Sequence, residues 1–339
     1  MKIGRVLGAV VVLLVIIPVI AAVATARLHD PSPPPRQQAH HVSASSAASS
    51  DACARPAPIR LPVIGVAPGP PWGRNLTRFV RATGVHPQIV AQYLPFGVAY
   101  NAAMACQIAR AGGELLVQWD PTRVSLEQIA NGGWDRYITR FARDVRAAQV
   151  PIVLSFGHEM NGYWYSWGNT HVTPREFKAA WRHLHRLFAT TGARNVTWCW
   201  DVNVWLPALT GKPNYNITSA RPWWPGARYV DWIGLDAYYQ APSDTFGSLF
   251  KYSLGALRRI AHKPVLIAET AAAAGPLQAR QIRSLFSGLR RTKVIGAIWF
   301  DRNGRETWQL EGQPSAIAAF QAGARSLARI RKEARGPSA

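Results

Sequence analysis

Residues 155–168, "SFGHEMNGYWYSWG", set a His, a Glu and an Asn beside two Tyr and two Trp. A second carboxylate, Glu269, closes the apolar run "KPVLIAETA" at 263–271. A carboxyl group wrapped in aromatic rings is desolvated. Its pKa rises, and it becomes a proton donor near neutral pH. A second carboxylate that stays ionised can attack an electrophilic carbon or activate water. Cleavage of a glycosidic bond needs such a pair, one acid for the leaving oxygen and one carboxylate at the anomeric carbon. The aromatic faces would receive the flat C–H faces of pyranose rings.

Other chemistries lack their residues. Position i+4 from His158 is Gly162, so "HEMNGY" does not have zinc-protease spacing. His183 and His185 in "RHLHR" stand two apart on a helical stretch and diverge, which reads as surface. His40 and His41 fall in a polar stretch and read as solvated. No G-x-S-x-G is present, and no G-x-G-x-x-G follows the first strand. Neither a metal nor a cofactor is expected.

The elements that must hold the two glutamates repeat along the chain. From residue 61 on, short apolar runs alternate with amphipathic segments. The runs are 61–68, 87–95, 113–121, 150–159, 195–203, 229–239, 263–271 and 293–301. Near-continuous apolar strands separated by helices indicate a parallel sheet covered on its outer face. Eight such units indicate an α/β fold, a (β/α)8 TIM barrel, whose chemistry sits at the C-terminal ends of the strands. Those ends carry Trp119 and Asp120, His158 and Glu159, Asp201 and Asn203, Asp236, Tyr238 and Tyr239, Glu269, and Trp299 and Asp301. Alternation places Val153, Ser155, Gly157 and Glu159 on one face, and Val265, Ile267 and Glu269 on one face. Strands four and seven then point both glutamates into the barrel mouth. Glu159 should have a raised pKa, and Glu269 should stay ionised if a donor such as Tyr238 bonds it.

The chain has 339 residues and a formal charge of +21. That charge favours anionic surfaces, a membrane or a wall polymer. The Arg residues are scattered and no nucleic-acid motif accompanies them, so nucleic acid is not an expected partner. Lys2 and Arg5 precede an apolar stretch from Val6 to Ala26 that ends in "ATA". Two readings of residues 1–28 stay open, a cleaved signal peptide and an uncleaved membrane anchor. Both put the remainder outside the cytoplasm. Residues 29–60, rich in Pro, Ser and Ala, read as a linker. A single catalytic domain is expected over 61–325, with a basic tail over 326–339, acting as a monomer. Cys199 lies inside apolar "VTWCWDV", which leaves Cys53 and Cys106 as the simplest disulfide in an exported protein. Three unpaired thiols are the alternative.

The segment "GHEMNGYWYSWG" resembles the strand-four motif of glycoside hydrolase family 26, a clan A retaining group. The group includes β-mannanases, some β-1,3-xylanases and mixed-linkage β-glucanases. The resemblance covers residues 61–325 and implies Glu159 as acid/base and Glu269 as nucleophile. It places His158 near the reacting sugar, Trp164 as an aromatic wall, Tyr238 as a donor to the nucleophile and Trp299 as a platform under the sugar. Asn203 and Trp119 complete the expected polysaccharide-binding set, and Asn161 fits the motif. The sequence departs from the mannanase pattern at the end of strand three, where "VQWDP" offers Trp119 and Asp120 in place of a histidine. The implied activity is retaining hydrolysis of a β-glycan, mannanase-like. The alternatives are a membrane-associated β-glucanase or xylanase that trims an exported polysaccharide, and a non-catalytic carbohydrate-binding barrel. Both glutamates being present argues against the last.

Overall fold

Eight strands close on themselves in chain order: β1 (Val63–Ala67), β2 (Ile89–Pro95), β3 (Glu114–Asp120), β4 (Ile152–Phe156), β5 (Val196–Asn203), β6 (Trp232–Asp236), β7 (Val265–Thr270) and β8 (Val294–Phe300). Every pairing is parallel, and β1 pairs with β8, which leaves no open edge. All eight fall within the apolar runs of the sequence. The computed structural model describes residues 53, 59–206, 216–303 and 306–333. Residues 1–28, read as signal or anchor, and most of the linker lie outside the described residues.

The helices are α1 (Trp72–Thr83), α2 (Ala102–Arg110), α3 (Leu126–Ala130), α4 (Asp135–Ala148), α5 (Pro174–Thr191), α6 (Phe246–Ile260), α7 (Gln278–Arg291) and α8 (Pro314–Glu333). Local signals in α5 show why the chain folds this way. Thr173 and Glu176 form a capping box, and Pro174 occupies the first turn, where its missing N–H costs nothing. Phe177, Trp181, Leu184 and Phe188 then recur at helical spacing and are buried. Between β5 and β6 the described residues form two short 3-10 turns, Arg221–Trp223 and Ala227–Tyr229.

Three details differ from the sequence expectation or complete it. α8 runs on to Glu333 with Leu327 fully buried, so part of the expected tail is the barrel's last helix. His183, expected at the surface, bonds Asp135 at 2.6 Å and ties α5 to α4. Cys53 is bonded to Cys106, with the Cα atoms 5.3 Å apart, and Cys199 is free and buried. Among the described residues no helix is long and apolar enough to cross a membrane, and no cluster of His, Cys, Asp and Glu could hold a metal ion.

Candidate active site

Glu269 stands near the end of β7 and is 5% exposed. Tyr93 of β2 donates its phenol to Oε2, and Tyr238, two residues past β6, donates to Oε1. Phe300, at the end of β8, meets both tyrosines edge-on, with centroids 6.1 Å from Tyr93 and 5.7 Å from Tyr238. The Arg302 guanidinium lies 5.3 Å from the ring centres of Tyr93 and Phe300. Burial pushes the Glu269 carboxyl up to about 8, against the pull of the Arg302 cation. The donor on which the sequence expectation of an ionised carboxylate depends is present, with Tyr93 as a second, and burial acts against both. Desolvation at the end of β7 outweighs the Arg302 cation, and the two phenols favour the charged form because each donates to it.

Glu159 reaches the mouth by a different route from the one alternation suggests. β4 ends at Phe156, and the next residues turn through left-handed backbone, with Gly157 at φ 57° and Glu159 at φ 53°. At position 157 a side chain would crowd Phe177 and Trp167 at 3.2 and 3.3 Å. The Glu159 N–H bonds the Asp201 carbonyl at 3.0 Å, which fixes this strained residue to β5. Its carboxylate accepts from Asn203 Nδ2 at 2.5 Å and from Trp164 Nε1 at 2.8 Å. Asn161 locks the loop beneath. Its Nδ2 donates to the Asn203 and Thr218 carbonyls at 2.8 and 3.1 Å, and its Oδ1 accepts from the Asn203 N–H at 2.9 Å. Burial raises the Glu159 pKa, while the His158 charge and the bonds from Asn203 and Trp164 lower it. The net rise matches the sequence expectation.

His158 is 1% exposed and both its ring nitrogens are engaged. Nδ1 meets Asp120 Oδ1 at 2.9 Å and Nε2 meets the Tyr165 hydroxyl at 3.1 Å. Tyr165 stacks on Trp167 at 4.3 Å, and Trp167 Nε1 bonds the His158 carbonyl at 2.8 Å. Burial disfavours the imidazolium, but the charge and hydrogen bond of Asp120, with Glu159 and Asp201, lift its pKa to about 9. His158 is thus charged at neutral pH and holds the β3 and β4 ends together. The sugar contact expected of it is corrected, because no ring nitrogen is left to offer. Below it, Gln118 donates to Asp201 at 2.7 Å. Gly234 has no side chain, which lets the Asp201 carboxylate lie against β6, where a Cβ would stand 2.3 Å away. Burial and the charges of Asp201 and Glu159 hold Asp236 well above its ordinary value.

Two further expected sugar contacts are corrected by strand alternation. Gln118 bonds inside the barrel and Asp120 reaches the mouth, so Trp119 between them points outward. It is fully buried against Phe141 of α4 at 4.4 Å. In β8 the same rule turns Phe300 inward and Trp299 outward, and Trp299 packs on Phe320 of α8 at 5.8 Å. The indole near the nucleophile is Trp308, whose ring lies 5.0 Å from Tyr238 and whose own carbonyl accepts from Trp299 Nε1 at 3.2 Å. Trp164, Tyr238 and Asn203 stand at the mouth as expected. Sequence reasoning missed Tyr93, Arg302 and Trp308, and counted Tyr165 only as one of the aromatics around Glu159. Tyr93 was within reach of the strand-end filter, since it lies two residues before the end of β2. Trp308 lies in a loop without a local signal.

A profile of glycosyl hydrolase family 26 matches residues 126–332. The chain is 33% identical over 249 residues to Endoglucanase H of Acetivibrio thermocellus, covering 69% of this chain and 27% of that protein. It is 31% identical over 98 residues to a mannan endo-1,4-beta-mannosidase of Bacillus subtilis, covering 27% of this chain and 24% of that protein. The chain thus matches about a quarter of the length of these relatives. A Bacillus sp. endo-β-1,4-mannanase catalytic domain superposes with a TM-score of 0.60 at 15% identity, over 78% of this chain and 86% of that one, and shares its fold. With the closed barrel and the strand-four segment on the same chain, the profile match settles the family: this protein is a member of glycosyl hydrolase family 26.

Proposed function

We propose that the chain is an exported retaining endo-β-glycanase. The observation that carries this reading is the pair of buried glutamates in the barrel mouth, each fixed by two side-chain donors but with different surroundings. Glu159 has an indole and an amide as donors, beside an imidazolium. Glu269 has two phenols and a nearby guanidinium. In the first step a Glu269 oxygen attacks the anomeric carbon, the bond from that carbon to the leaving oxygen breaks, and the Glu159 proton moves to the leaving oxygen. In the second, Glu159 takes a proton from water, the water oxygen bonds the anomeric carbon, and Glu269 departs as carboxylate. Trp164 borders the acid and Trp308 the nucleophile, which puts an indole on each side of the cleaved bond, while Phe300 is covered by Tyr93, Tyr238 and Arg302.

The strand-four motif supports a β-1,4-mannan as substrate. A β-glucan is the second reading. It is favoured by the long match to an endoglucanase and by the end of β3, where Asp120 is committed to His158 and Trp119 faces away. Export rests on the Lys2, Arg5 and Val6–Ala26 pattern. Incubation with mannan, xylan and mixed-linkage glucan tests the proposal. Short oligosaccharides from mannan or glucan, of several sizes at early times, are expected. No product from any of the three would overturn it, and release of single sugars alone would overturn endo action.

A further inference from the structure

In a parallel barrel the helices run against the strands, so their C-terminal turns and the loops into the next strands gather at the face opposite the site. These segments are strongly cationic here. Arg258 and Arg259 stand in the last turn of α6 and Arg291 ends α7; Lys293 and Arg194 stand in the loops before β8 and β5, and Arg60 leads into β1. All six are exposed, and none takes part in an ion pair among the described residues. The one exposed acid in these turns and loops, among the described residues, is Asp231, whose carboxylate accepts from the Trp198 N–H at 2.9 Å. A helix dipole favours a cation within its own last turn. It does not account for Arg60, Arg194 and Lys293, which lie outside helices.

The chain reaches β1 at this same face. Its preceding residues carry the Val6–Ala26 apolar run and a Pro/Ser/Ala-rich stretch at 29–60. Cys53 is tied to Cys106 of α2, so residues 29–52 join the apolar run to the barrel, and a coil-like linker of that length would have a root-mean-square reach of roughly 25–30 Å. A membrane engaged by residues 6–26 would thus lie within one barrel diameter of the basic face, at a high effective concentration.

We infer that the basic face opposite the site docks on the anionic phospholipid headgroups of the membrane that the N-terminal segment engages, with the catalytic mouth turned away toward the polysaccharide. The inference rests on export of the chain and not on which glycan it cleaves. Each docked cation strengthens partitioning about fivefold, and the effect is screened by salt.

The test uses the full chain with one added cysteine, since Cys199 is buried and Cys53 is bonded to Cys106. Ala189→Cys places a fluorophore in the last turn of α5, at the basic face, and Ser243→Cys places it in the loop before α6, at the mouth. Energy transfer to a lipid-borne acceptor is read on phosphatidylcholine vesicles with and without phosphatidylglycerol. Stronger transfer from position 189 than from 243 is expected on the anionic vesicles. The difference should collapse between about 0.1 M and about 1 M salt, where the Debye length falls from about 10 to about 3 Å. The Arg258→Gln, Arg259→Gln, Arg291→Gln, Lys293→Gln variant should lower the docked population more than about a hundredfold, with glycan hydrolysis unchanged. If that variant misfolds, the salt and lipid arms on the parent chain still decide. Equal transfer from both positions, stronger transfer from 243, or no dependence on phosphatidylglycerol would overturn the inference. Loss of hydrolysis in the parent would count against the glycanase reading alone.

Discussion

Tyr93→Phe removes one hydroxyl from the Glu269 carboxylate and leaves the ring that packs against Phe300 and under Arg302. A hydrogen bond to a buried charged group contributes about 1.5–3 kcal/mol. One pKa unit corresponds to about 1.36 kcal/mol, so losing the bond should raise the Glu269 titration by about one to two units. Glu269 must be ionised to attack, and in the parent burial already pushes it up to about 8. The acid limb of the kcat/KM profile should therefore move further toward alkaline pH. At a fixed pH on that limb, kcat/KM should fall about ten- to a hundredfold, by the same one to two units. Much of the loss should be recovered where Glu269 is ionised in both proteins. The assay is a kcat/KM–pH profile on an activated aryl β-glycoside for parent, Tyr93→Phe and Tyr238→Phe. A uniform drop at every pH, with the limb in place, would refute the reasoning and show that Tyr93 orients the carboxylate without tuning its charge.

The outward and inward tryptophans should separate in kinetics. Trp119→Ala should cost about 3–5 kcal/mol of stability through a core cavity, read in denaturant unfolding, with KM unchanged in whatever remains folded. Trp308→Ala should raise KM or lower kcat with a smaller loss of stability, and the reverse pattern would place Trp119 back in the glycan path. Folding stability should fall as pH rises from about 4.3 to about 8. Glu269, raised when folded, still holds its proton there while the unfolded chain releases it. His158, raised to about 9, adds in the same sense, because its stabilising charge is lost as pH climbs from its ordinary value through 9. Thermal unfolding should thus give a higher midpoint near pH 5 than near pH 8, with a flatter slope in Glu269→Gln, and a midpoint that rises with pH would contradict the burial argument.

The barrel was legible because burial on both sides makes each strand a nearly continuous apolar run, which periodicity finds at once. The two glutamates were legible because strand-end position is a strong filter in this architecture. Where the filter failed, it failed for local reasons. Trp119 and Trp299 stand at strand ends, but a one-residue step sends each to the helix side. His158 carries the right neighbours for a sugar contact, yet its burial depends on Asp120 and Tyr165, which no spacing relates to it. The Glu159 orientation came out correctly for an incomplete reason: the left-handed turn at Gly157 and Glu159, not alternation, delivers it. Arg302 and Trp308 follow the last strand, where only the folded loop reveals that they return to the mouth.

The central claim is double displacement on Glu269 with Glu159 as acid and base. Its most direct measurement is the mass of the Glu159→Ala protein after brief incubation with an activated aryl β-glycoside, followed by peptide mapping. The leaving group of such a substrate needs little protonation, so the first step should proceed while the second stalls. A stoichiometric glycosyl adduct is expected on the peptide that contains Glu269, discharged by azide as a β-glycosyl azide. No adduct on any peptide, with a parent product of inverted anomeric configuration by NMR, would contradict it.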